Sequence, residues 1–211
     1  MATQGQFLQR QLQSECLYLT SALELRDGLA IIWATKLIGI VVPTLGMRQE
    51  MLIQCLTSIK AAGPAFVTVV GPHEFIDQEL TTLSRYVGLF DSAVSDPREG
   101  LAAAINKGIR AFPDEIELVT WLGDDDLLHE GALGVLASKL SANPGASAVF
   151  GRCDFVDSQG KVFGRSRFGR FAVALLKFGP DFIPQPASLF RRKHFNHVGG
   201  LDTSLKLAFD L

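Results

Sequence analysis

Three consecutive carboxylates, Asp124, Asp125 and Asp126 in "TWLGDDDLL", are the residues of this 211-residue chain best suited to chemistry. They follow "EIELVTWL", whose Val, Ile, Leu, Trp and Thr content predicts a buried strand. Adjacent like charges repel, and more strongly in a partly buried cleft than in water. One Asp suffices to cap a helix. Three in a row suit a hard divalent cation, Mg²⁺ or Mn²⁺, whose preference for oxygen ligands offsets the repulsion. A cation at the rim of a sheet points to a diphosphate-bearing substrate. The usual phosphate cradles are missing: no GxGxxG follows a strand and no GxxxxGK[ST] occurs. That argues against dinucleotide dehydrogenases and P-loop NTPases, and leaves the metal to carry much of the phosphate recognition.

The elements that must position the triplet alternate regularly from Leu37 onward. "LIGIVVPT" is a continuous apolar run, as in a strand buried on both faces of a parallel sheet. "MRQEMLIQCLTSIKAAG" places Met51, Leu52, Cys55, Leu56 and Ile59 on one helical face, with Gly63 as a stop. "AFVTVVGP" reads as a second strand and "EFIDQELTTLSRYVG" as a second helix. "GLAAAINKGIRAF" is a helix of small residues able to lie close to a sheet, and "EGALGVLASKLSAN" is a fourth helix. The class is therefore α/β with a mainly parallel sheet, and ligands of such sheets bind beyond the carboxyl ends of the strands. After residue 147 the pattern changes: a hairpin around Ser158-Gln159-Gly160, a short helix "FAVALLKFG" and a strand-like "PASLFRRKHF".

Residues 1–36 differ from the rest. Leu8, Leu12, Cys16, Leu19 and Leu23 fall at helical spacing, predicting an amphipathic N-terminal extension that packs on the domain, follows an upstream domain, or docks on a partner or membrane surface. Net charge is −2, with 20 basic and 22 acidic residues, so no global field favours nucleic acid or anionic lipid. The three cysteines, Cys16, Cys55 and Cys153, have neither zinc spacing nor a disulfide pattern, which suits a reducing compartment. The N-terminus lacks the form of a signal peptide, and "LAIIWATKLIGIVVP" is too short to span a bilayer. A cytoplasmic location is expected, with peripheral attachment at the inner face of the membrane left open.

Two further groups carry charge. His194 and His197 in "HFNH" have metal-like spacing but no accompanying ligand set. Arg152, Arg165, Arg167 and Arg170 form a basic region, read either as solvated charge or as a clamp for an anionic acceptor or lipid diphosphate. Arg98, before Gly100, contacts a phosphate or faces water. The aromatics near the arginines are Phe within apolar periodicity, which argues against nucleic acid.

"IGIVVPTLGM", "GLAAAINKGI", "WLGDDDLL…GAL", "IPQPASLFRRKHFNHVGGLD" and "LKLAFDL" occur in that order. Over residues 37–211 the chain resembles the family 2 glycosyltransferases of the GT-A fold, a Rossmann-like, mainly parallel sheet with helices on both faces. These are inverting enzymes that use nucleotide-diphospho-sugars. The resemblance implies a donor site at Pro43, Thr44, Asn106, Lys107, Asp124 and Asp125, with Arg98 added as a candidate. It implies metal ligation by Asp126 with Asp124, and Asp210 of "LAFDL" as the catalytic base. The acceptor would be a sugar, glycan or lipid-linked glycan in cell-surface polysaccharide or lipopolysaccharide synthesis. Two departures stand out. Gly71-Pro72-His73 replaces the acidic loop that contacts the base, and the chain stops at Leu211, where family members continue. A C-terminally incomplete domain is thus expected. Two alternatives remain: a non-catalytic nucleotide-sugar-binding fragment, and a nucleotidyltransferase, whose Gly-rich basic loop "PTLGMRQEM" only faintly resembles.

Overall fold

The run Ile38–Pro43 (β2) forms the centre of the sheet because both parities of its side chains are apolar. Ile40 and Val42 face one side, where they join Leu52, Leu56 and Ile59 in the larger core. Val41 faces the other, against Ala104, Ile105 and Ile109. Each fully buried Leu, Ile or Val of this kind contributes about 1.5–3 kcal/mol. The computed structural model describes residues 10–12, 37–80, 82, 84–157, 159–166, 169, 171–176, 178 and 182–205.

Phe66–Gly71 (β3) and Leu118–Trp121 (β5) flank β2 in parallel, and Ser92–Ser95 (β4) extends the sheet beyond β3. Ser188–Arg191 (β10) then adds antiparallel to β5, and Ala148–Phe150 (β7) to β10. The order is β4-β3-β2-β5-β10-β7, a mixed, mostly parallel sheet. Gln49–Ala62 (α1) covers one face, with Leu52, Cys55, Leu56 and Ile59 buried as the spacing predicts. Gly63 stops it at φ 142°, a conformation side chains disfavour. Leu101–Arg110 (α3) covers the other face. Its small residues allow close approach: a Cβ on Gly108 would lie 2.6 Å from Val41 Cγ1. Ala132–Ser141 (α4) packs beside α1.

A second, smaller sheet joins Asp126–Leu128 (β6), Arg10–Leu12 (β1), Asp154–Val156 (β8) and Val162–Arg165 (β9), in that order. β8 and β9 are the expected hairpin, antiparallel and closed by Gly160 N–H donating to the Asp157 carbonyl. The short helix is present at Phe171–Leu176 (α5).

Of residues 1–36 only Arg10–Leu12 are described, and they form a strand whose backbone pairs with β6 and β8; the expected N-terminal helix otherwise lies outside the described residues. Two sequence expectations need correction. "EFIDQELTTLSRYVG" is not one helix. It breaks into a turn at His73–Phe75 (α2), a π-helical turn at Ile76–Leu80 and a 3-10 turn at Ser84–Tyr86. Thr82 contributes to the break, because its hydroxyl donates 2.6 Å to the Gln78 carbonyl in competition with the backbone. "PASLFRRKHF" is extended only to Arg191; Arg192–His197 (α6) is helical. The two arginines at the junction serve packing. Arg191 donates to the carbonyls of Leu140 and Ala146, and Arg192 to those of Phe112, Pro113 and Ile116, so both tie down the loops that follow two helices.

Candidate functional site

Because β2, β3 and β5 run parallel, their carboxyl ends open on one edge of the sheet. The backbone there is laced together: Thr44 N–H donates to the Val70 carbonyl, Asp96 N–H to Gly71 and Leu122 N–H to Val41. Thr44, just beyond Pro43, is buried and sends its hydroxyl 2.6 Å to Asp124 Oδ2. Thr44 Oγ1 in turn accepts the Gly46 N–H at 3.0 Å, so the hydroxyl is fixed from both sides. Gly46 adopts φ 75°, and a Cβ there would fall 2.5 Å from the Phe75 ring. The β2 loop therefore turns tightly and brings Arg48 over the carboxylates. The guanidinium forks, donating to Asp125 Oδ2 at 2.6 Å and to Asp124 Oδ1.

The triplet divides into unequal members. Asp124 is 3% exposed and Asp126 8%. Burial pushes the Asp124 carboxyl above the usual carboxylate range; the Thr44 hydroxyl and Arg48 pull it back, and Asp125 pushes it up further. Asp126 opens β6, its N–H donating to the Gly123 carbonyl at 3.0 Å. Beneath them the Cys55 thiol donates to the Gly123 carbonyl at 3.4 Å. Burial, then Asp126, Asp124 and Asp125, raise that thiol well above its ordinary value. It stays a neutral support under the loop. Gln185 closes the other flank by donating from Nε2 to the Trp121 carbonyl at 2.8 Å, which holds "IPQP" beside the end of β5.

Among the described residues, no group of three or more His, Cys, Asp or Glu side chains forms a ready-made metal cage. The donor set fits a different mode. Mg²⁺-type ions commonly take one or two carboxylates and complete their shell with substrate phosphate oxygens. A buried Asp126 beside Asp124 meets that requirement.

The remaining expected site residues are more scattered. Asn106 is buried on α3 and its amide brackets one residue: Nδ2 donates to the Leu201 carbonyl at 2.8 Å, and Oδ1 accepts the Leu201 N–H at 2.9 Å. Lys107 Nζ donates 2.8 Å to the Ser95 carbonyl at the end of β4. Arg98 is exposed, at φ 60°, and pairs with Glu74 at 3.1 Å. His73, in the loop that replaces the acidic one, pairs with Asp77 at 3.1 Å. His194 and His197 lie on α6, and Asp210, Arg167 and Arg170 lie outside the described residues. Cavities of about 440 and 500 Å³, the first beside β9 and the second beside α6, contain none of the triplet carboxylates.

Arg48 was not among the expected site residues. Its sequence signal is slight but real: it is the sole charged side chain in "TLGMR", between the strand end and α1. A forked cation four positions beyond Thr44, at the same edge of the sheet, suits bidentate pairing with carboxylates. Arg48 is 38% exposed and holds oxygens of Asp124 and Asp125, so a cation bound there would have to displace it. Arg48→Met should therefore tighten Mn²⁺ binding without nucleotide by about tenfold, within the range expected when a close charge is removed. Titration of Mn²⁺ followed by electron paramagnetic resonance checks this; unchanged or weaker affinity would show that the guanidinium does not compete.

The model of glycosyl transferase family 2 matches residues 93–199, and the chain belongs to that family. The fold agrees. The crystal structure of S. aureus TarS 1-349 superposes with a TM-score of 0.59 at 17% identity, covering 82% of this chain and 52% of that one. Its complex with UDP gives 0.58 at 18% identity, with the same coverage. Its complex with UDP-GlcNAc gives 0.59 at 16%, covering 82% and 50%. At such identities the likeness establishes the GT-A-type architecture, and this chain spans about half the length of those structures. No curated protein matches the sequence.

Proposed function

We propose that this chain binds a nucleoside-diphospho-sugar together with a divalent cation and passes the sugar, with inversion, to an acceptor hydroxyl. The observation that carries the reading is the meeting of Thr44, Arg48 and Asp124–Asp126 at the carboxyl edge of the sheet. Family membership supplies the chemistry, and the solved relatives with UDP and UDP-GlcNAc supply the donor type. Asp126 and Asp124 would hold the cation, whose role is to stabilise the departing diphosphate as a Lewis acid. Arg48, once turned from Asp124, can follow the same negative charge as a bidentate phosphate donor. Asp210 would take the acceptor proton. Cell-surface polysaccharide or lipopolysaccharide assembly, from cytoplasmic donor, is the biological setting we assign.

Base selection should be weak. Gly71 ends β3, and a Cβ on it would fall 3.2 Å from the Thr44 carbonyl. Asp77 is paired with His73 and Glu74 with Arg98, so the acidic side chains that follow this loop are already engaged. A base read by buried hydrogen bonds is discriminated strongly, because the wrong one leaves polar groups unpaired. Calorimetric titration with UDP, GDP, CDP and ADP in Mn²⁺ should give affinities within about tenfold, or about 1.4 kcal/mol. Binding of none of them would sink the donor assignment. A strong preference for UDP would leave it standing and move base recognition to another segment.

A further inference from the structure

We propose that the cavity beside β9 seats an anionic sugar of the acceptor, one bearing a carboxylate or a phosphate, with Arg152 as its charge partner and Phe163 as its packing surface. The proposal rests on the sugar-transfer reading above and adds the chemical class of the acceptor. Topology puts the cavity at the donor edge. β5 and β7 both pair antiparallel with β10, so they run in the same direction, and the carboxyl end of β7 opens where those of β2, β3 and β5 open. Val119, Phe190 and Ala148 form one row across the three strands. From that row Asp124 lies five residues on along the chain of β5, and Arg152 four residues on along that of β7. Two strand spacings, about 10 Å, separate those chains. The two ends are also tied together. Gly151 N–H donates 2.8 Å to the Ala187 carbonyl, and Gln185 of the same turn donates to the Trp121 carbonyl. An acceptor that reaches the donor edge can therefore extend to Arg152.

The cavity, about 440 Å³, is lined by Arg152, Val162, Phe163, Gly164, Arg165 and Ser166, a size usual for small-ligand sites. Its unpaired charge comes down to one group. Arg165 is already held by the buried Asp154, Nε to Oδ1 at 2.8 Å. Asp157 sits at the hairpin turn, where it accepts the Gln159 and Lys161 N–H groups, and it does not line the cavity. Arg152 is half-buried, and its Nε is closed off from solvent without a hydrogen-bond partner. Among the described residues nothing else pairs with its guanidinium. A guanidinium so placed suits one oxyanion, which it can hold through two N–H groups. Beside it the Ser166 hydroxyl accepts the Cys153 N–H at 2.9 Å, which leaves its own proton to donate.

Strand pairing explains why Phe163 is presented to solvent. Gly164 pairs with Phe155 and Val162 with Val156, so the register shifts and Phe163 is left opposite no residue. A bulge of this kind re-aims a side chain. The ring is 57% exposed and lies 6.3 Å from that of Phe155, with Val162 also open to solvent. The C–H face of a pyranose packs on the negative face of such a ring. A free inorganic anion would have no use for the apolar wall, and the donor diphosphate has its place at the acidic triplet. A charged sugar of the acceptor uses both the wall and the guanidinium.

The test is saturation-transfer NMR on the whole chain with methyl glucuronide, glucose 6-phosphate and methyl glucoside as probes, and with inorganic phosphate as competitor, each with and without UDP and Mg²⁺. At least one of the two charged sugars should bind about tenfold or more tightly than methyl glucoside, and the tighter of them tells carboxylate from phosphate. Arg152→Gln should erase that preference. Phe163→Ser should weaken charged and neutral sugar alike, and both variants should keep the melting temperature and UDP binding of the wild type. Asp126→Ala should lose metal-dependent UDP binding and keep the charged sugar, so this site and the donor reading fail separately. No binding of either charged sugar, equal binding of methyl glucoside, or binding indifferent to either Arg152→Gln or Phe163→Ser would overturn the proposal. Inorganic phosphate that competes as tightly as glucose 6-phosphate binds would reduce the cavity to a site for an adventitious ion only. Displacement of the sugar by UDP and Mg²⁺ would also overturn the proposal, by assigning the cavity to the donor.

Discussion

Asp126→Ala should abolish the metal-dependent part of nucleoside diphosphate binding, a loss of about a hundredfold or more, or about 2.7 kcal/mol. The reason is the unequal division of the triplet. Asp124 spends one oxygen on the Thr44 hydroxyl and the other on Arg48, and Asp125 spends an oxygen on Arg48. Asp126 is buried at the start of β6, where its attraction for a cation is least screened by water. Asp125→Asn should cost less, about tenfold, because it weakens a counter-ion of Arg48 rather than a ligand. Calorimetry of UDP with Mn²⁺, repeated in chelator, separates the two. If wild type and Asp126→Ala bind equally in both conditions, the carboxylates do not hold a metal and the donor is recognised by Arg48 and the backbone alone.

How much of this site could be read beforehand depended on whether the signal was local. The strand runs, the face of α1 and the stop at Gly63 are local periodicities, and they appear where the pattern places them. The small residues of α3 announce close packing, and the Gly108–Val41 approach explains them. The acidic triplet marked the edge because three like charges are costly without a cation nearby. What escaped were pairings across the chain. Arg48 and Asp124 are 76 positions apart, and Asn106 and Leu201 are 95 apart; no periodicity records such contacts. The broken helix after Pro72 escaped for another reason. Its apolar spacing is helical, but the Thr82 hydroxyl offers a backbone carbonyl a competing bond. Arg191 and Arg192 read as part of a strand-like run, whereas their guanidinium groups reach across the chain to the carbonyls of Leu140 and Phe112.

Asn106 links the donor edge to the segment that carries the expected base. Its amide grips both backbone groups of Leu201, and the fit is close: a Cβ on Gly200 would fall 2.6 Å from Asn106 Oδ1. Gly200 itself sits at φ 84°, so the turn needs glycine for both space and conformation. From Leu205, Asp210 is five positions further along, at most about 18 Å even when extended. Holding Leu201 fixes the direction in which the chain leaves the domain toward that segment. Asp210→Asn in the intact protein should lower turnover by about 10²–10⁴, the usual worth of general-base assistance, while nucleotide affinity stays within about twofold. Asn106→Ala should act through position. It strips both bonds that the buried Asn106 makes to the turn at Leu201, at a cost of about 1–3 kcal/mol, and turnover should fall by about tenfold or more with little change in donor KM. Assays well below the melting temperature of each variant keep this distinct from unfolding. Full turnover in Asp210→Asn would move the base elsewhere. A rise in donor KM for Asn106→Ala, with kcat unchanged, would make Asn106 a donor contact rather than the tie that aims the base.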